Sequence, residues 1–401
     1  MTAEKIYDIL KTGAAGKTAA IRSIAALQPA GGEGDKVFPP TYAGAVYAKE
    51  KRLINGEAVE TVLLDSVQSV ANRFEEVLLH AVDGKQLGLP MLEMEVAGHR
   101  VNSLTAPHRI HDAIFRDSLW DGVPFRESSN GRRIAAARAW NATAFYEFAP
   151  TVLLFGTWDS QSGGGTNSAK IARSLVSEII GLHAVSGVRT SSRIDPLGIK
   201  LLRNVIGMTN EKDASTWFFI PPTADAGAKK PKKDEPKGFK PSQINHGNIA
   251  PTITEENGPG GITIREARET SVLSLAQLRK LRFPIDGQVD AERDVAGRAV
   301  IAALGLHAVA LLRESGYQLR SRCQLVPVEA PVFEIVGPTQ ADRETFTCDS
   351  TVTKVVFDEA VAAAKRCGLV WDTNPVVLTP KPDLIKLVEL SDKSVSEAEQ
   401  E

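Results

Sequence analysis

Gly16, Lys17 and Thr18 close the segment KTGAAGKTAAIR, residues 11–22, with the residue types that end a phosphate-gripping P-loop. A P-loop also needs a glycine where this chain has Lys11, and a buried strand ahead of the loop. The residues before it read as a short amphipathic helix. The segment is therefore read as a Gly/Ala linker into the first strand, not a nucleotide site. A second anion site is suggested by QSGGGTNSAKIAR, residues 161–173. It follows the apolar TVLLFGTWDS, read as a buried strand, and opens SAKIARSLVSEIIGL, read as a helix. Free backbone N–H groups and the dipole at such a helix start attract an anion, and Lys170 and Arg173 would lie in its first turns.

Cations recur in strand-like or loop-like segments. Arg189 and Arg193 lie in GVRTSSRIDPLGI, Arg279 and Arg282 in LRKLRFP, and Arg320 and Arg322 in YQLRSRCQL. If the last is one alternating strand, Arg320 and Arg322 share a face, where two like charges call for an anion between them. Lys229, Lys230, Lys232, Lys233, Lys237 and Lys240 form the densest basic run, and a run in a long loop can grip a polyanion. INHGNI follows it, with donors and a stackable ring from His246 and Asn248. For each of these groups a solvated surface is the plain alternative. His108, His111 and Asp112 in HRIHD would put two imidazoles on one helix face without a third ligand, so no metal site is expected. No nucleophile elbow stands out, the cysteines 323, 348 and 367 make no zinc spacing, and neither catalytic residue nor cofactor is expected.

The elements that must position these side chains begin with AAIRSIAALQPAGG, which alternates and stops at a Pro/Gly loop: a strand. An aromatic, basic excursion follows and closes with a hairpin at Asn55-Gly56. DSVQSVANRFEEVLLHA is the clearest helix. Asp65 is its expected N-cap, Val70, Phe74, Val77 and Leu78 lie on one face, and Gln68, Ser69, Asn72 and Glu76 lie opposite. RIHDAIFRDSLW and GRRIAAARAWNATAFYEFAP read as helices. The apolar run within residues 291–313 reads as a buried helix, YQLRSRCQLVPV as a strand, 351–367 as a helix and the end as an acidic, frayed tail. Residues 221–261, rich in proline, lysine and glycine, read as a long excursion. The order suits an α+β domain with helices on one face of a mainly antiparallel sheet, and a ferredoxin-type β-α-β-β-α-β core. The 401 residues carry a formal net charge of −2, so any polyanion must be met by a local surface. The few scattered cysteines and a start without a signal pattern point to the cytoplasm.

PAGGEGDKVFPPTYAG, LLDSVQSVANRFEE, LLFGTWDSQ, KIARSLVSEIIG, GVRTSSRIDPLGI, KPSQINHGNI, SVLSLAQLRKLRFP and GYQLRSRCQL together resemble the RAMP-superfamily backbone subunit of type I-U (I-G) CRISPR Cascade, the Csb-one group of the Cas-seven family. The resemblance spans about residues 19–330. It implies an RRM-like palm with finger insertions (about 33–62 and 83–150), a thumb (about 221–261), an N-terminal arm (1–18) and a C-terminal extension (331–401). It implies copies stacked along the crRNA spacer, each holding guide phosphates so that exposed bases pair with target DNA, without catalysis. Partners would be crRNA, target DNA, other copies, a fused five/six-type subunit and a large subunit, with no membrane. Gln68, Ser69, Asn72 and Arg73 become guide contacts by similarity to the first palm helix of relatives. Lys36 and Tyr42 fall in a finger or neighbour-contacting loop, and INHGNI in the thumb. Type III relatives cut target RNA with a loop aspartate, for which Asp35, Asp65 and Asp195 would be the candidates here.

Overall fold

The structure, a computed structural model, describes residues 1–159, 170–199, 206–210, 213–220, 239–254, 260–330, 332–339 and 343–398. The chain divides into two units, one of residues 1–40, 47–185 and 263–393, the other of 41–46, 186–262 and 394–401.

The first unit is built on a nine-stranded sheet. Its strands in chain order are β1 (Ala20–Pro29), β2 (Lys49–Ile54), β3 (Glu57–Asp65), β4 (Leu175–Leu182), β5 (Glu266–Ser274), β6 (Tyr317–Arg320), β7 (Cys323–Pro327), β8 (Val332–Val336) and β9 (Arg343–Phe346). Spatially the order is β6-β7-β1-β5-β4-β3-β2, with every pairing antiparallel. The outer edge of β1 is shared: β7 pairs with Leu27–Pro29 and β8 with Ala20–Ile24, while β9 pairs with β8. Four helices matter here: α1 (Ala3–Ala15), α2 (Val67–Asp83), α3 (Ala291–Ser315) and α4 (Ser350–Arg366). Read as β1, α2, β4, β5, α3, β7, the chain traces the β-α-β-β-α-β core expected from the sequence, with the β2–β3 hairpin added outside β4.

Alternation explains β1. Ile21, Ser23, Ala25 and Leu27 are buried, and Ile24, Ala26 and Gln28 are open. The β2–β3 turn is Asn55-Gly56 as expected, both residues at positive φ (52° and 85°), the type I′ geometry that matches strand twist. The apolar helix α3 is long and apolar enough to cross a membrane, yet it is almost wholly buried, against α1, α2, α4 and the sheet.

Several local expectations are corrected. Residues 151–159 do not form one strand: Val152–Phe155 is a short helix, followed by a two-residue strand, Thr157–Trp158. The described part of SAKIARSLVSEIIGL, from Lys170 on, is not a helix. Lys170–Ile171 pairs with Thr157–Trp158, and Leu175–Leu182 is β4, the sheet strand between β5 and β3. Leu175, Ser177 and Ile179 are buried in register against β5, and tertiary pairing overrides a helix-compatible pattern. RIHDAIFRDSLW breaks into a 3-10 turn, a one-turn helix and the strand Ser118–Trp120, and GRRIAAARAWNATAFYEFAP into two helices, Ser129–Ala136 and Thr143–Phe148. Lys11–Ala15 belong to α1 rather than to a linker. The frayed tail contains a helix, Pro382–Ala398, and Val376–Pro380 adds a strand to the sheet formed by Leu92–Val96, His99–Asn102, Ser118–Trp120 and Val123–Pro124.

The helix Ser129–Ala136 rests on a close approach at Gly131. The Ser128 side chain caps the Gly131 N–H at 3.0 Å, and a Cβ on Gly131 would collide with the Phe125 carbonyl oxygen. Gly131→Ala is expected to cost about 1–3 kcal/mol through overpacking, read as a lowered melting temperature.

In the second unit, Arg189–Arg193 pairs antiparallel with Ile249–Thr254, and Ile206–Met208 with Trp217–Phe219. Ile206, Phe239 and Ile244 form its small core. Most of the expected lysine-rich excursion, including Lys229, Lys230, Lys232, Lys233 and Lys237, lies outside the described residues.

Candidate nucleic-acid interface

The chain leaves β3 at Asp65 and enters α2 through Ser66, whose Oγ accepts the Ser69 N–H at 3.2 Å. The N-cap is thus Ser66 rather than Asp65, because Asp65 is still paired with Ile179 of β4 and its carboxylate is committed inward. That side chain is 1% exposed and takes two arginines: Arg73 Nε at 2.7 Å on Oδ2 and Arg320 Nη2 at 3.2 Å on Oδ1. Arg73 also donates to the carbonyls of Gln318 (3.3 Å) and Leu319 (2.6 Å), and Arg320 to that of Leu64 (2.8 Å). Asp65 therefore ties the start of α2 to the β6–β7 hairpin.

The hairpin corrects another expectation. YQLRSRCQL is not one alternating strand: it turns at Ser321–Arg322, so Arg320 and Arg322 do not share a strand face. Arg322 takes a left-handed conformation (φ 57°). Its guanidinium lies 4.2 Å from the Phe38 ring centre, and its carbonyl accepts the Phe38 N–H at 3.0 Å. Lys36 is two residues from Phe38 and half-buried. Gln68 and Asn72, one turn apart on α2, are exposed, and Ser69 is half-buried. Six of the sequence candidates are thereby linked into one region, Gln68, Ser69, Asn72, Arg73, Arg320 and Arg322, and Lys36 lies near it in the chain. The N-terminal dipole of a long helix adds a partial positive charge there.

The remaining candidates serve elsewhere. Lys170 starts no helix, and the glycine loop before it (161–167) lies outside the described residues. Its ammonium lies 5.8 Å from the Trp158 ring centre. Arg173 donates to the Phe155 carbonyl at 3.1 Å, and burial, with the nearby Arg109, pushes its guanidinium below the usual arginine range. Arg109 itself grips Glu75 on the inner face of α2 with two bonds of 2.6 and 2.7 Å, and burial still leaves the Glu75 carboxyl raised.

Arg279 holds the carbonyls of Gly13 (3.0 Å) and Thr18 (2.6 Å), at the C-terminal end of α1. A helix end presents carbonyls, whose polarity repels phosphate and attracts guanidinium, so this setting disfavours a phosphate at the Gly-Lys-Thr run. Arg282 pairs with the buried Asp294 at 3.1 Å.

In the second unit, Arg189 is exposed. Arg193 donates to the carbonyls of His246 (2.7 Å) and Gly247 (2.8 and 3.0 Å). Asp195 accepts the N–H groups of Leu197 (2.9 Å) and Gly247 (2.7 Å), which hold its carboxyl below the ordinary range, and its own N–H donates to Asn248 Oδ1 at 2.6 Å. INHGNI is thus a braced turn, with Asn245 and Gly247 at positive φ. His246 meets Trp217 edge-on at 6.1 Å, Lys240 and Tyr42 are exposed, and Trp217, Phe218 and Phe219 form an exposed aromatic row. Sequence reading passed over that row and Phe38. The signal was available in the first case: three adjacent rings, WFF, in a polar stretch.

Residues 21–186 match the family model described as CRISPR-associated protein GSU0053. That span covers β1 to β4 and α2, including Asp65 and Arg73, and stops short of the β6–β7 hairpin. The match supports a part in CRISPR–Cas defence, and with it guide RNA and other Cas proteins as partners in general. A search of curated proteins found no match.

His108 and His111 do not share a helix face. His111 closes a 3-10 turn, bonds Thr157 Oγ1 at 2.8 Å, and is pushed down to about 4 by burial; His307, in α3, is pushed to about 4 for the same reason. Both are therefore neutral when folded and take protons only on unfolding at mildly acid pH. Their contribution is complete above about 6.5, the unfolded value, and falls away toward pH 4. Denaturation midpoints should drop steadily between pH 6.5 and 4, and less so in His307→Gln.

Proposed function

We propose that the chain is a guide-RNA-binding backbone subunit of a type I-U/I-G Cascade. Several copies lie along the crRNA spacer in the cytoplasm and present its bases for pairing with target DNA, beside a fused five/six-type subunit and a large subunit. The observation that carries this reading is the Asp65-centred region. Asp65 orients the Arg73 and Arg320 guanidiniums, Arg322 follows in the same hairpin with its guanidinium over Phe38, and exposed amides stand at the adjoining helix start. Such a surface grips a ribose-phosphate strand by charge and amide donors without reading base edges. The division of labour is that of guided effectors, in which base pairing carries the sequence information.

The chain does not cut RNA on this reading. Asp65 is buried between two arginines and Asp195 is committed to backbone N–H groups, so neither is placed to hold a metal-bound water. Labelled complementary RNA with magnesium should stay intact, and regularly spaced cuts lost on replacing Asp35 would reverse the conclusion.

The binding test uses a fluorescein-labelled single-stranded RNA and anisotropy across a NaCl series. Arg322→Ala should weaken binding and reduce the log–log salt slope by about 0.7, one phosphate contact on a single strand. Gln68→Ala with Asn72→Ala should weaken binding about tenfold with the slope unchanged, because amides release no counterion. Wild-type affinity in both variants would rule this surface out.

A further inference from the structure

A cavity of about 490 Å³ opens beside the C-terminal end of α3, lined by Ala310, Arg313, Pro327, Phe333, Cys348 and Val352 among others. It involves none of the residues of the RNA interface proposed above. Arg313 is 5% exposed. Its Nε donates to Glu269 at 3.1 Å, and its guanidinium lies 5.2 Å from the Phe333 ring centre. Its Nη1 and Nη2 are buried and have no hydrogen-bond partner among the described residues. Unmet donors on a buried cation are costly, and a site that keeps them beside an open cavity is short of an acceptor.

Charge decides what kind of acceptor fits. Glu269, fully buried, already matches the Arg313 charge. Glu314 and Asp349 line the same cavity, held by the N–H groups of Ser350 (2.6 Å) and Val352 (2.8 Å). A phosphate or carboxylate would enter beside both of them, with only the α-ammonium of Met1, which lines the cavity too, to offset two carboxylates. A neutral carbonyl meets no such repulsion, and Ala310, Pro327, Phe333 and Val352 offer an apolar wall for whatever carries it. We propose that this cavity docks a peptide segment of a partner protein, one main-chain carbonyl accepting from the Arg313 Nη groups and a neighbouring apolar side chain lying against Phe333 and Val352.

The probe is N-acetyl-leucine N-methylamide, titrated against the full chain labelled with ¹⁵N-arginine, with the Arg313 Nε–H resonance assigned by its loss in Arg313→Lys. A saturable shift is expected. Val352→Trp, which fills the cavity without touching the Glu269 network, should weaken it by at least about tenfold. Octanoate and inorganic phosphate at equal concentration should leave the resonance in place. The proposal is overturned if the amide produces no shift, if Val352→Trp responds as the parent does, or if either anion shifts the resonance more than the amide.

Discussion

Glu269→Ala lowers the unfolding free energy by about 3–5 kcal/mol, the cost of leaving a buried cation without its counter-charge. Glu269 sits in the middle of β5 with no exposed surface. It accepts Arg313 Nε at 3.1 Å, the Tyr317 hydroxyl at 2.9 Å and the hydroxyls of Ser177 and Ser271 at 3.3 Å. One carboxylate thereby joins β4, β5, α3 and β6. Among the described residues two Arg313 nitrogens are already unpartnered and Glu269 is the only carboxylate bonded to that guanidinium, so its loss leaves the charge unmatched. Glu269→Gln keeps an acceptor and should lose less. Guanidinium chloride midpoints followed by tryptophan fluorescence distinguish the two, and equal, small losses in both would refute the account.

Asp65→Asn should move stability and RNA binding in opposite directions. Removing the negative charge from a side chain 1% exposed leaves Arg73 and Arg320 short of a partner, for an expected loss of about 2–4 kcal/mol. The same change unmasks two positive charges at the proposed guide surface. RNA affinity at low salt should rise, and the salt slope should steepen by up to about 0.7 for each guanidinium that gains a phosphate. The measurements are a denaturation midpoint and the anisotropy salt series. A weaker protein with an unaltered slope would mean that Arg73 and Arg320 serve only the fold.

The sequence disclosed most where one pattern had one physical solution. β1 alternates, α2 repeats its apolar face at helical spacing, and Asn55-Gly56 admits little besides a tight hairpin. It misled where local pattern and long-range pairing disagreed. SLVSEIIGL satisfies a helix as well as a strand, and only β5 on one side and β3 on the other decide for the strand. RSRC hides a turn because the reversal falls on Arg322, a residue with no turn preference, held at positive φ by its Phe38 contacts. The candidate site was half legible. Residue types picked out Gln68, Asn72 and the arginines, but type alone cannot separate an arginine facing a ligand from one spent on carbonyls. Arg279 and Arg193 are of the second kind. The hub, Asp65, resembles a helix cap in the sequence because its inward carboxylate depends on β6, some 250 residues away.

The doubled edge of β1 bears on how molecules of this chain can meet. With β7 and β8 both occupying it, that strand has no vacant ladder to offer a neighbour. At the far margin β2 reads Lys-Glu-Lys-Arg, a charged hem that discourages strand-to-strand adhesion. If copies line a common strand of RNA as proposed, neither β1 nor β2 would join them by a shared ladder, and any strand-to-strand contact would fall to the remaining margins, β6 and β9.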